Sequence, residues 1–189
     1  MARYAAIDCG TNSLRLLISE DNHGRPREIV RLMEIVRLGQ GVDATGEFAP
    51  EALERTRKVL TKYVDLMQQE RVQDVRMVAT SATRDARNKD EFFAMTAELL
   101  GQIRPGACAQ VITGEEEAKL SFIGAVAYLS KEQGPFCVID LGGGSTEFVV
   151  GVAGGQLLGS YSSQMGCVRI SERIMQSDPP TPEEVEAAR

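Results

Sequence analysis

Short apolar runs alternate with polar turns at the start of the chain. Residues 4–7 and 14–18 are apolar and residues 28–38 are rich in β-formers, so three opening strands are predicted. The polar turn Asn22-His23-Gly24-Arg25-Pro26 separates the second from the third. A loop carrying Gly39, Gly41, Asp43 and Gly46 follows. Pro50 then suits the first turn of a helix, where its missing N–H costs nothing, and the helix is predicted to run to about residue 70. Leu53, Leu60, Val64 and Met67 form its apolar stripe. Next come a strand near 75–80, a helix over 89–100, a strand over 108–112 and a helix over 114–129. An opening meander followed by alternating strands and helices predicts a mixed α/β sheet.

The pattern then begins again. An apolar run ending at Ile7 leads into Asp8-Cys9-Gly10-Thr11-Asn12-Ser13, and one ending at Ile139 leads into Asp140-Leu141-Gly142-Gly143-Gly144-Ser145. Each reads as strand, D-x-G-x-x-S turn and strand, which predicts two related lobes that each open with a hairpin. From Asp140 to the end only 50 residues remain. Thr181 and Glu184 open a helix as a capping box would, with no C-cap after it, so the chain is expected to be the N-terminal part of a longer protein.

Composition narrows the classes. With 43% hydrophobic and 25% charged residues, the 189-residue chain is globular and neither disordered nor fibrous. A net charge of −6 and a pI of about 5.0 argue against non-specific coating of nucleic acid or an anionic membrane. A small anion held in a local pocket remains compatible with that charge. The longest apolar run, over 122–129, is far short of the ~20 residues that span a bilayer, and no signal peptide is expected. Cys9, Cys108, Cys137 and Cys167 lie far apart beside apolar residues, which predicts reduced, buried thiols in a cytosolic protein. The single His23 sits in a turn and is expected to be solvated.

Three segments carry candidate chemistry. Glycines let the two hairpin turns bring backbone N–H groups close to an anion, hydroxyls add donors, and the strand-end aspartates can hold a divalent metal. Two such turns facing each other could grip a chain of phosphates; taken singly, each reads equally well as a plain hairpin turn. Neither is a P-loop, whose spacing and lysine are absent. In Thr113-Gly114-Glu115-Glu116-Glu117, a helix cap accounts for Glu115 and Glu116. Glu117 shares a face with Leu120, Ser121 and Gly124, where a partly buried carboxylate could serve as general base toward water. Arg84, in Thr80-Ser81-Ala82-Thr83-Arg84 after a strand, suits a phosphate oxygen at the sheet's C-terminal edge, or is a surface arginine of a short helix. Arg37 and Lys119 are weaker candidates of the same kind, and the charged run over 54–58 reads as a solvated helix face.

Taken together, Asp8 to Ser13, Ala79 to Arg84, Gly114 to Ala118, Ile139 to Glu147 and Gln164-Met165-Gly166-Cys167-Val168 resemble the exopolyphosphatase/guanosine pentaphosphate phosphohydrolase family. The resemblance implies an α/β fold, a ribonuclease-H-like lobe of the actin-like, sugar-kinase and Hsp70 superfamily over 1–130, with an incomplete second lobe over 131–189. It implies that Glu117 is the catalytic glutamate that activates the attacking water. Asp140, Glu147 and Asp8 would lie at a Mg2+ ion. Gly10, Thr11, Asn12, Ser13, Arg84, Gly142, Gly143, Gly144, Ser145 and Thr146 would bind phosphate. The expected function is an exopolyphosphatase that removes the terminal phosphate of inorganic polyphosphate. The alternatives are hydrolysis of guanosine pentaphosphate, a phosphotransferase whose adenosine loop lies beyond residue 189, and a fragment that only binds the anion. No nucleic acid or membrane partner is expected; a cytoplasmic location is, and so is a homodimer formed through an unfinished second-lobe sheet.

Overall fold

A computed structural model describes residues 2–22, 25–130 and 132–189. His23 and Gly24, at the centre of the expected turn, lie outside the described residues. The chain divides into two compact units, Met1–Val111 and Ile112–Arg189.

In the first unit, strands β1 (Arg3–Cys9), β2 (Ser13–Asn22) and β3 (Arg25–Ile35) form the expected antiparallel meander. Strands β4 (Asp74–Ala79) and β5 (Ala109–Val111) add parallel to β1 and to each other, giving the order β3-β2-β1-β4-β5. That order is the one a ribonuclease-H-like lobe requires. Period-2 alternation decides which face is covered: Ala5, Ile7 and Cys9 on β1, Leu14, Leu16 and Ile18 on β2, and Val75, Met77 and Ala79 on β4 are buried. Their neighbours Tyr4, Ala6 and Arg15 face outward.

Two helices cover the buried face. Helix α2 (Pro50–Gln69) starts with Pro50 as expected and buries Leu60, Tyr63, Val64 and Met67; Ala52 and Thr56 extend the stripe toward its N-terminus. Helix α4 (Lys89–Leu100) has the predicted bounds and buries Phe92, Met95, Leu99 and Leu100. The Tyr63 hydroxyl donates to the Leu14 carbonyl at 2.9 Å, and burial pushes its pKa up to about 12, so it stays a donor. Two further short helices form: α1 (Val42–Thr45), which was not expected, between Gly41 and Gly46 in left-handed conformations, and α3 (Ser81–Asp85) after β4, the short helix weighed for Arg84.

The second unit is built on an antiparallel sheet of β6 (Phe136–Leu141), β7 (Thr146–Gly151) and β8 (Leu157–Ser163). Helix α5 (Gly114–Val126) packs on one face of it, burying Ala118, Phe122 and Val126 against Val149, Phe136, Val138 and Leu157. The sequence reading counted this helix in the first lobe and ran it to residue 129. It ends at Val126, and its apolar side finds its complement on the β6–β7 surface. On the other face of the sheet Ile139, Leu141 and Tyr161 are 61%, 67% and 67% exposed. Helices α6 (Cys167–Arg173) and α7 (Pro182–Ala187) follow. The Thr181–Glu184 capping box forms reciprocally, at 3.2 and 2.9 Å.

The cysteines correct one expectation. All four are free, but only Cys9 is buried; Cys108, Cys137 and Cys167 are exposed. Apolar sequence neighbours do not bury a side chain on a half-covered sheet: Cys137 alternates outward with Ile139 and Leu141 on β6. Burial, helped by the Asp8 charge, pushes the Cys9 thiol far up, so it stays protonated and inert. No helix among the described residues is long and apolar enough to cross a membrane.

Candidate active site

The predicted repeat is real at the level of single hydrogen bonds. In the β1–β2 turn the Gly10 N–H donates to the Ser13 carbonyl at 3.0 Å, and in the β6–β7 turn the Gly142 N–H donates to the Ser145 carbonyl at 2.9 Å. Gly142 has a steric reason to be glycine, because a Cβ there would lie 2.9 Å from that same carbonyl.

The first-unit turn is held by the segment after β3. The Asn12 carbonyl accepts from the N–H groups of Val36 (3.0 Å) and Arg37 (2.9 Å), and the Thr11 carbonyl accepts from Gly39 (2.8 Å). Arg55 of α2 in turn donates to the Val36 carbonyl at 2.8 Å. The sequence reading left this arginine on a solvated helix face; it is half-buried and fastens the segment that fastens the turn. Thr80 and α3 follow β4 at the edge where β1 ends, with the Thr80 N–H on the Cys9 carbonyl at 3.2 Å. Gly39 packs between Thr11 and Ala82, so the turn and α3 form one layer. This layer brings Gly10, Thr11, Asn12 and Ser13 to the same sheet edge as Arg84, which is half-buried. Asp8 stands just before the turn, 3.6 Å from Arg15 across the ladder.

The second-unit turn is held more closely. The Gly142 carbonyl accepts from the Cys167 N–H (3.0 Å), and the Gly143 carbonyl from Val168 (2.9 Å) and Arg169 (3.1 Å). The Arg169 side chain donates through Nε to the Gly144 carbonyl at 2.9 Å. Three successive carbonyls are thus turned toward α6. In a trans peptide the carbonyl of one residue and the N–H of the next point opposite ways. The amides of Gly143, Gly144 and Ser145 are therefore aimed away from α6, and among the described residues they donate no backbone hydrogen bond. Such a row of amides can seat an anion. Thr146, also expected at the phosphate, is buried, and its hydroxyl donates to the Met165 carbonyl.

Below this turn lie the carboxylates. Asp140 and Glu147 are direct cross-strand partners, so both point to the α5 side of the sheet. The Ser121 hydroxyl of α5 donates to Asp140 Oδ2 at 2.7 Å, and the Ser162 hydroxyl of β8 donates to Glu147 Oε1 at 2.8 Å. Thr113 caps α5 by accepting from the Glu116 N–H at 3.1 Å. Gly114 lies against Ser162, where a Cβ would approach Oγ to 3.1 Å. Contacts at 114 and 121 fix the sheet-facing side of α5. Glu117 falls between them at helical spacing and is half-buried.

Glu147 is 1% exposed and faces a second carboxylate, with a serine hydroxyl as donor. Like charges directly opposite one another are unfavourable, and more so when buried. The pair therefore fits a hard divalent cation with oxygen ligands. Among the described residues no group of three or more His, Cys, Asp or Glu side chains is arranged to hold a metal ion. Two carboxylates suffice for Mg2+, which keeps waters and takes substrate phosphates for its other positions. Sequence reasoning missed Ser162 and Arg169, and gave no site role to Ser121, named only on the Glu117 face, or to Gly166, quoted only within a family motif. Ser121 stands four residues after Glu117 and was open to discovery; the others act across loops whose path no local pattern shows.

A profile described as the Ppx/GppA phosphatase family matches residues 17–189. Exopolyphosphatase 2 of Mycobacterium tuberculosis is 56% identical over 193 positions, spanning all of this chain and 60% of that protein. Among solved structures, an exopolyphosphatase-like protein superposes with a TM-score of 0.88 at 40% identity, over 99% of this chain and 58% of its own. An exopolyphosphatase from Cytophaga hutchinsonii superposes at 0.86 with 29% identity, over 98% and 57%. The chain thus spans about three-fifths of the length of the relatives it matches, and its fold is theirs: an actin-like α/β lobe with a partial second lobe.

Proposed function

Because this chain belongs to the Ppx/GppA phosphatase family, we propose that the whole protein is an exopolyphosphatase, hydrolysing the terminal phosphoanhydride bond of inorganic polyphosphate. The names of its relatives support polyphosphate over guanosine pentaphosphate. The observation that carries the reading is in the second unit: the outward-aimed amides of Gly143, Gly144 and Ser145 join the strands that carry Asp140 and Glu147, which face α5, the helix of Glu117.

In this reading Glu117 accepts a proton from, or orients, the water that attacks the last phosphorus. Gly142, Gly143, Gly144, Ser145 and Thr146 bind phosphate, as do Gly10, Thr11, Asn12, Ser13 and Arg84 of the first unit. Aimed amides and a guanidinium stabilise the charge that phosphoryl transfer spreads over the equatorial oxygens. Asp140 and Glu147 would hold Mg2+, and Asp8 of the first unit is proposed as a metal ligand as well. When bound, the metal supplies charge neutralisation at the phosphate oxygens. Ser121 and Ser162 keep the two carboxylates in register. A cytoplasmic location and a homodimer belong to the same proposal.

The test is Glu117→Gln in the full-length protein. Turnover of long-chain polyphosphate should fall by ~10²–10⁴-fold, the usual contribution of a positioned general base, while tripolyphosphate affinity stays within a few-fold. Unchanged turnover would remove Glu117 from the chemistry.

A further inference from the structure

The three carbonyls of the triglycine turn are not held alike. Those of Gly142 and Gly143 are accepted by backbone N–H groups of Cys167, Val168 and Arg169, which come with the chain path itself. The Gly144 carbonyl is held by a side chain, Arg169 Nε at 2.9 Å. Glycine has no Cβ to resist rotation of its flanking peptides, so a Gly144–Ser145 peptide without that bond is free to turn over. Turning it would swing the Ser145 N–H toward α6 and present a carbonyl oxygen where an anion is to sit.

We propose that Arg169 is a positioning residue for phosphate binding: by holding the Gly144 carbonyl it keeps the Ser145 amide aimed outward. This rests on the reading of the turn as a phosphate seat. Arg169 works from behind the turn and has no contact with substrate in this role. A guanidinium suits it because Nε–H is held in a rigid plane while the rest of the fork is left for other partners. Lysine carries the charge on a flexible, unforked stem and cannot fix the carbonyl in the same direction.

The experiment compares full-length wild type, Arg169→Ala and Arg169→Lys for tripolyphosphate affinity by calorimetry, KM and kcat on polyphosphate, and the Ser145 amide resonance during phosphate titration. Losing a charge-assisted hydrogen bond that orients one donor should weaken tripolyphosphate binding about 10- to 100-fold in Arg169→Ala. KM should rise more than kcat falls, and the phosphate-induced shift of the Ser145 amide should disappear while those of Gly143 and Gly144 persist. Arg169→Lys should recover less than half of the lost affinity in logarithmic terms. A purely structural role would lower the melting temperature without the selective loss at Ser145. If Arg169→Ala does not fold, Arg169→Lys decides by the same resonance. Variants that bind as tightly as wild type and keep the Ser145 shift overturn the positioning role and leave the functional reading standing. Wild type that binds tripolyphosphate but releases no phosphate from polyphosphate overturns the functional reading, and the binding comparison still judges Arg169. Wild type that does not bind tripolyphosphate overturns both.

Discussion

The β1–β2 and β6–β7 turns share a sequence pattern and a closing bond from glycine N–H to serine carbonyl, at 3.0 and 2.9 Å, yet they are supported differently. Behind the first lies the turn-forming segment after β3, itself fastened by Arg55 from a helix, so its support has two steps. The second is braced directly by the start of α6, with backbone donors on two carbonyls and a guanidinium on the third. The layout also differs in what is aimed outward: three consecutive amides in the second turn, Gly143 to Ser145, against two in the first, Asn12 and Ser13, whose preceding carbonyls are held by Gly39 and by Val36 and Arg37. A short motif thus fixes the shape of a turn, while distant segments fix where its donors point. On this comparison the second turn is the stronger anion seat and the less tolerant of change.

The largest expected effect follows from close approach. A Cβ at Gly166 would lie 2.3 Å from the carbonyl carbon and oxygen of Gly143 and 2.5 Å from the Gly144 nitrogen, all of them backbone. Gly166 itself has an extended conformation that any residue adopts (φ −132), so the constraint is space alone. Gly166→Ala should therefore displace the second turn and lower tripolyphosphate affinity by roughly 100-fold or more, since overpacking against atoms that cannot move costs ~3 kcal/mol or above. Gly39 is the counterpart behind the first turn. There a Cβ meets the Thr11 Cγ2 methyl at 2.3 Å, a side-chain tip, and Ala82 Cβ at 3.0 Å. Gly39→Ala should destabilise the protein by about 1–3 kcal/mol, and adding Thr11→Ser, which deletes that methyl, should recover most of the loss in urea denaturation. No comparable second change is available for Gly166→Ala. Equal penalties for the two alanines, or no recovery from Thr11→Ser, would break the comparison.

A smaller effect is expected at the outer step of the first turn's support. Arg55 donates to the Val36 carbonyl at 2.8 Å and, more exposed, to Gln40 Oε1 at 3.0 Å. Hydrogen bonds from a charged donor contribute ~1.5–3 kcal/mol, less where water competes. Arg55→Ala should lower stability by about 1–2 kcal/mol with little change in tripolyphosphate affinity, because the Asn12 and Thr11 carbonyls keep their backbone donors. A loss of affinity as large as that of Arg169→Ala would show that the first turn depends on a single side chain as the second does.

Much of this was legible in the sequence, and the reasons are local. The strands over 3–9 and 13–22 alternate on a two-residue period, α2 begins at its proline, and α4 has an uninterrupted helical pattern. Both D-x-G-x-x-S turns announce themselves because glycine and serine are needed within four residues of each other. Helix α6 was not visible, being seven residues long, too short for periodicity to register, and α3, five residues long, showed only as one of two alternatives for Arg84. The partners of the site carboxylates were hidden for another reason. Ser162 reaches Glu147 only because β8 pairs with β7 in one register, and register is a property of the sheet rather than of either strand's sequence. The burial of the cysteines failed likewise: an apolar neighbourhood in sequence gives no sign of which sheet face is covered.

The smallest expected effect separates the two repeat aspartates. Asp140 is tied by the Ser121 hydroxyl at 2.7 Å on the helix-covered face of its sheet. Asp8, at the matching position, faces Arg15 at 3.6 Å with side chains 45% and 58% exposed. Water screens such a pair, and both partners give up rotamer freedom to meet, so exposed ion pairs contribute at most ~1 kcal/mol and usually less. Arg15→Ala should therefore change stability by under about 0.5 kcal/mol, and the difference should vanish in 1 M salt, where the screening length falls to ~3 Å. Ser121→Ala, by contrast, removes a neutral hydroxyl donor from a carboxylate, and its effect should persist in salt. A salt-insensitive loss above 1 kcal/mol for Arg15→Ala would mean that Asp8 is held as firmly as Asp140, and the two halves of the repeat would then be alike in their acids as well as in their turns.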